Sequence, residues 1–113
     1  METVIWVIDE KGLPEGIIEL LRKEKMRVIL IALLGKENDY NLWRHLFSLS
    51  EKLTQEGFSV SVGTERGTPF SLLSLMETIS PQLLLLPKEK FLLLGPMEND
   101  DFLNQLPCPL LLY

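Results

Sequence analysis

Four short apolar runs constrain this chain more than any other feature: Val4–Ile8 (VIWVI), Val28–Leu34 (VILIALL), Leu83–Leu86 and Leu110–Leu112. Each is continuous rather than alternating. A strand with one wet face alternates apolar and polar residues, whereas a strand covered on both faces does not. The runs therefore read as strands of a sheet with helices on both sides. The longest has seven residues, against the roughly 20 that a membrane-crossing helix needs. No membrane segment is expected, and the leucines belong in a core or a subunit interface.

The stretches between the runs supply the helices. Asp9–Gly12 is a polar turn, and Pro14 suits the first turn of a helix. Ile17, Ile18, Leu20 and Leu21 mark its apolar stripe. After the polar segment Gly35–Asn41, the residues Leu42, Trp43, Leu46, Phe47, Leu49 and Leu53 recur at helical spacing, and Gly57 is a natural C-terminal cap. Phe58, Val60 and Val62 alternate with Ser59, Ser61 and Gly63, which predicts a half-exposed strand at a sheet edge. Thr68-Pro69 reads as an N-cap with proline behind it, opening a helix that carries Phe70, Leu72, Leu73, Met76 and Ile79 and ends at Ser80-Pro81. Pro87–Asn99 reads as irregular. Asp100–Leu106 reads as a short helix with acidic residues at its positive end. The order β-α-β-α-β-α-β-(α)-β predicts one α/β domain over residues 1–113, a three-layer doubly wound sandwich around a five-stranded, mainly parallel sheet.

Composition and charge exclude several classes. The 113 residues are 46% hydrophobic and 24% charged, in the range of globular domains. A net charge of −5 gives no electrostatic reason to bind nucleic acid. No signal peptide is visible at Met1-Glu2-Thr3, and a single cysteine, Cys108, fits a reducing cytoplasm.

Candidate site residues follow from the fold. In open α/β sheets, ligands bind beyond the carboxyl ends of the strands where strand order reverses. Asp9 stands at such an end, either approaching a ligand or capping the turn before Pro14. Lys88 and Lys90 follow the fourth strand and could meet a phosphate as point charges. A receiver-domain reading lacks its nucleophile: Val62-Gly63 and Leu86-Pro87 stand at the strand ends where an aspartate is needed. One histidine, His45, and one cysteine far from it make no metal site, and no serine sits in a catalytic motif. Trp43, Phe47 and Phe70 read as core.

At four places the sequence resembles the universal stress protein family. Val4–Asp9 looks like its first strand ending in aspartate. Phe58–Leu75, with Gly67-Thr68-Pro69, resembles its third strand and the start of its third helix. Ser80–Leu86 resembles its fourth strand, and Leu106-Pro107-Cys108-Pro109-Leu110-Leu111-Leu112 is similar to its closing PCPVLVV strand. The resemblance implies sheet order 3-2-1-4-5 (adenine nucleotide alpha hydrolase-like). It also implies a cytoplasmic homodimer joined partly through the final strand, Pro109, Leu110, Leu111, Leu112 and Tyr113. Many members bind ATP through a glycine-x2-glycine-x9-glycine-serine/threonine loop after the fourth strand, where glycines let backbone N–H groups approach phosphates. Here Pro87 replaces the first glycine, no second glycine follows in Lys88–Phe91, and Gly95 is followed by Pro96, which has neither hydroxyl nor N–H. The expectation is a non-enzymatic dimer that acts through protein contacts, with ATP and AMP disfavoured and no cofactor. The alternative is a nucleotide or small-ligand module using Asp9, Lys88, Lys90 and Gly95.

Overall fold

The computed structural model describes residues 2–10, 14–35 and 39–113. Parts of the Asp9–Gly12 turn and of the Gly35–Asn41 segment lie outside the described residues. The elements are β1 (Thr3–Val7), α1 (Glu15–Glu24), β2 (Arg27–Leu34), α2 (Tyr40–Gln55), β3 (Val60–Arg66), a 3-10 turn at Pro69–Ser71, α3 (Leu72–Ile79), β4 (Leu83–Leu86), α4 (Lys88–Leu92), α5 (Pro96–Gln105) and β5 (Leu110–Leu112). The strands lie in the order β3-β2-β1-β4-β5 and every pairing is parallel.

The runs of β1, β2 and β4 have the reason anticipated for them: alternate residues of a strand point to opposite faces, and both faces are covered, whereas the edge run Leu110–Leu112 is only partly covered. Val4, Trp6 and Ile8 of the β1 run face α1 and α2, whose Ile18, Leu21, Leu46 and Leu49 are buried against them. Ile5 and Val7 face the other way, towards Leu72 and Met76 of α3 and Phe102 of α5. Each such side chain contributes about 1.5–3 kcal/mol relative to exposure. No polar or charged residue is buried among the described residues.

Helix ends follow local chemistry. The α2 helix closes with Gly57 at φ 97, a left-handed conformation that glycine adopts without strain. The Gly57 N–H donates to the Thr54 carbonyl and the Phe58 N–H to the Leu53 carbonyl, both at 3.0 Å, the paired bonds of a Schellman cap. Thr68 accepts from the Phe70 N–H at 3.3 Å and so caps the turn that leads into α3.

Four expectations need correction. Pro87–Asn99 is not irregular: it holds α4 and the start of α5. Pro87 and Gly95 act as N-caps and Pro96 fills the first helical position, so residues that read as breakers serve as starters. Because α5 begins at Pro96, Asp100 and Asp101 sit in its middle, and Glu98 is the acid of its first turn. On α1, Leu20 is 37% exposed, since Ile17, Ile18 and Leu21 already fill the buried face. On α2, Trp43 (38% exposed) and Phe47 (55%) lie outside the core and stack on each other at 5.7 Å. The buried line runs through Leu42, Leu46, Leu49 and Leu53. Trp43 and Phe47 each follow one of these by a single residue, a rotation of about 100°. Phe70 is half-buried, edge-on to Phe102 at 5.6 Å.

Candidate functional site

Strand order reverses between β1 and β4, and the chain leaves those two strands in opposite directions. A crevice of about 510 Å3 opens at the carboxyl ends of the sheet. Leu33 and Gly35 at the end of β2 and Gly67 just after β3 line it, with Asp39 and Leu42 from the start of α2. Thr68 and Pro69 form one rim; Glu10, Lys90, Leu93 and Leu94 form the other. A smaller recess of about 190 Å3 lies at the switch point itself, between Asp9 and Glu10 after β1 and Pro87, Glu89, Lys90 and Leu93 after β4.

Backbone bonds fix the crevice walls. The Gly67 N–H donates to the Leu34 carbonyl at 3.1 Å, and the Arg66 guanidinium donates to the Gly35 carbonyl at 3.3 Å, which ties the ends of β2 and β3 together. Ser71 Oγ donates to the Thr68 carbonyl at 2.7 Å and holds the opposite rim. Among the described lining residues are two carboxylates, Glu10 and Asp39, and one ammonium, Lys90.

The segment after β4 supplies Lys90, Leu93 and Leu94 to this crevice. A phosphate-binding loop works by leaving backbone N–H groups unpaired. Here the Lys90 and Phe91 N–H groups donate to the Pro87 carbonyl, Leu93 to Glu89, Leu94 to Phe91 and Gly95 to Leu92. The Lys88 N–H donates to the Tyr113 carbonyl at 2.7 Å. Helix formation and the bond to Tyr113 have used these donors.

Of the four ligand-site candidates, the structure brings Asp9 and Lys90 to one recess and leaves Lys88 and Gly95 outside both cavities. The Lys88 side chain is exposed. Gly95 has φ 85 and ψ 164, a conformation open essentially to glycine alone, and a Cβ there would stand 3.0 Å from the Glu98 carboxylate. Its glycine is explained by the start of α5. Leu94 packs into the core, but Leu92 and Leu93 are 59% and 84% exposed, so the leucine trio is not uniformly packed. Glu10, Asp39, Gly67 and Thr68 join the site without having been singled out for it. Their common signal is position: each stands just beyond a strand or at the start of a helix at one end of the sheet.

At the other end of the strand order, β5 pairs only with β4. Leu110 packs on the α3/α5 face, Leu111 and Tyr113 on the α1/α2 face, and Leu112 is 37% exposed. Tyr113 is turned into its own chain. Its hydroxyl donates to the Val7 carbonyl and accepts from Trp6 Nε1–H at 3.0 Å, with the two rings edge-on at 6.4 Å. Burial pushes the Tyr113 phenol well above its usual range. Burial likewise raises the thiol of half-buried Cys108, which works against a thiolate nucleophile. His45 lies on α2, and no group of three or more His, Cys, Asp or Glu that could hold a metal occurs among the described residues.

An all-parallel five-stranded sheet of this order, with helices on both faces, defines a doubly wound α/β domain. Its fold is that of the universal stress proteins. The chain superposes on a universal stress protein in complex with cAMP with a TM-score of 0.71 and 13% identity, over 99% of this chain and 95% of that one. A universal stress protein family member from Burkholderia pseudomallei gives 0.68 and 13%, over 99% and 95%. A universal stress protein from Archaeoglobus fulgidus DSM 4304 gives 0.67 and 18%, over 98% of this chain but 43% of that longer one. No protein-family model matches the sequence, and no curated protein does. No described helix is long and apolar enough to cross a membrane.

Proposed function

We propose that this chain is a non-enzymatic, universal stress protein-like domain that acts in the cytoplasm through protein contacts, as a homodimer joined at β5, without tight ATP binding. The observation that carries the reading is α4. The N–H groups of Lys90, Phe91, Leu93 and Leu94 are bonded within this segment and that of Lys88 to Tyr113, where a phosphate loop would offer them, and Leu93 and Leu94 stand at the crevice. A triphosphate there would meet two carboxylates and one ammonium among the described lining residues, and leave its charge poorly compensated. The open edge of β5 and exposed Leu112 support the homodimer. The half-buried Cys108 thiol fits a reducing compartment.

The test is a thermal-denaturation series with Mg-ATP, AMP and cAMP at millimolar concentration. A ligand at 100 times its Kd stabilises by about 2.7 kcal/mol, so binding is easily seen. The expected result is an unchanged midpoint. A dose-dependent rise that Asp9→Ala abolishes overturns the reading. For the dimer, a monomer mass by light scattering at micromolar concentration has the same force.

A second reading is favoured by one observation, the crevice of about 510 Å3 with Asp39, Thr68 and Lys90 on its walls. That volume suits a small ligand, and the wall chemistry suits one that carries little negative charge. A midpoint raised by adenosine but not by ATP, and lost in Lys90→Ala, supports it.

A further inference from the structure

The sheet has a second open edge. The β3 strand pairs only with β2, through seven residues. Natural edge strands are commonly blunted by charge, proline or a bulge. On β3 the charges are confined to its last two residues, Glu65 and Arg66; Val60 to Thr64 carry neither charge nor proline, and Val62 is 42% exposed.

The helix above this edge is bare on the matching side. Lys52 pairs with Glu15 and Glu56 with Arg22, so those residues mark the flank of α2 that faces α1. Trp43 precedes Lys52 by nine residues, as Phe47 precedes Glu56. At about 100° per residue that separation is half a rotation. Trp43 and Phe47 therefore occupy the flank turned away from α1. Tyr40, 61% exposed with the Arg44 guanidinium 5.8 Å from its ring centre, extends the stripe.

We infer that the β3 edge and this flank of α2 form a two-fold interface with a second copy of the chain, separate from the β5 edge. The geometry of the fold selects that occupant. The α2 helix contacts both β2 and β3, so its axis runs over the gap between them. Strands lie about 4.8 Å apart. Antiparallel pairing of β3 with its own copy then sets the two α2 axes about 10 Å apart, the distance at which helices pack. Trp43 and Phe47 fill the seam between them, and Val62 lies one residue from the middle of the paired strands. Charges also match under that symmetry. Arg44 and Glu51 are equidistant from the midpoint between Phe47 and Ser48, so each Arg44 faces Glu51 of the second copy at the solvent side of the seam. A patch that complements itself in charge is what an isologous contact requires.

The experiment reads mass by light scattering across micromolar to submillimolar concentration for four chains: the natural one, Phe47→Glu/Val62→Lys, Leu112→Lys, and all three substitutions together. All sites are exposed, and circular dichroism confirms that each variant is folded. The expected result is that Phe47→Glu/Val62→Lys lowers the mass relative to the natural chain, and lowers Leu112→Lys further to monomer. Association that survives Phe47→Glu/Val62→Lys unchanged, with or without Leu112→Lys, overturns the β3 interface and leaves that face to a different protein. The Leu112→Lys arm alone judges the β5 dimer, so the two proposals fail separately. A second measurement needs no charge: with the two-fold at the middle of β3 the two Val62 positions lie on a diagonal roughly 8 Å apart, too far for a disulfide but within reach of a short bis-maleimide, so Val62→Cys in a Cys108→Ser background should give a covalent dimer with that reagent. No cross-link, together with an unaltered mass, closes the case against it.

Discussion

The two edges of the sheet are built on opposite plans. The β5 strand is three residues long, is approached through Pro107 and Pro109, and is anchored by side chains. Tyr113 reaches past β4 to Trp6 and Val7 on β1, and Phe102 seals the face beneath against Phe70 and Phe91. The β3 strand is seven residues long and held by its ladder to β2, with the exposed Trp43–Phe47 pair on the helix above it. A short edge needs anchors because its few backbone bonds give little. A long edge holds its place by the ladder and leaves a row of donors and acceptors unpaired on its outer side. Both edges leave an outer side to cover, but β5 is in addition tied into its own chain by side chains, whereas β3 relies on its ladder.

Three perturbations test that contrast. The largest effect is expected from Phe102→Ala, which removes the fully buried ring under the β5 side and should cost about 3–5 kcal/mol in urea unfolding. A loss below about 1 kcal/mol would mean that α5 does not seal this edge. Next is Tyr113→Phe, which keeps the ring but deletes both hydroxyl bonds, for an expected loss of about 1–2 kcal/mol. It carries a pH signature. Burial raises the phenol pKa in the folded state, so the folded chain holds that proton more tightly than the unfolded one. The resulting stability is fully present below the ordinary tyrosine pKa of about 10 and is lost as pH rises above it. The natural protein should therefore lose stability more steeply above pH ~10 than Tyr113→Phe, and parallel curves would refute the buried hydroxyl. The smallest effect is expected on the β3 side. Gly57→Ala places a Cβ at φ 97 in the cap that leads into β3 and should cost about 1 kcal/mol by thermal unfolding. No change there would show that the cap does not set the approach to this edge.

The same contrast explains what could be read from the residues. Strands buried on both faces announce themselves, because Val28–Leu34 and Leu83–Leu86 have no polar residue to spend on a wet side. The β3 edge was legible through its alternation, but the strand starts at Val60, runs past the alternating residues to Arg66, and leaves Val62 exposed. The α4–α5 region was not. A helix of five residues is too short to display a period, and Pro87, Gly95 and Pro96 break or start helices depending on which side the helix lies. On α2, the sequence marks a run of large apolar residues but not where the stripe stops, and one residue of rotation takes Trp43 and Phe47 out of the core. Asp9 and Lys90 were legible as residues that follow strands at one end of the sheet. Asp39 and Thr68 were not, since their meeting requires the ends of separate strands to lie side by side. Lys88 was placed by the same reasoning as Lys90 but lies outside both cavities, and Gly95, which came from the resemblance to a phosphate loop, stands instead at the start of α5.

Placement of the two tryptophans gives the molecule built-in optical labels. Trp6 is 1% exposed and hydrogen-bonded to the last residue of the chain, whereas Trp43 is 38% exposed beside β3. An aqueous quencher such as iodide reaches the second indole and not the first. Release of the C-terminal tyrosine should change the unquenched emission alone, and coverage of the β3 side should remove the quenched fraction. Events at the two margins of the sheet can thus be told apart by their light, in unlabelled protein.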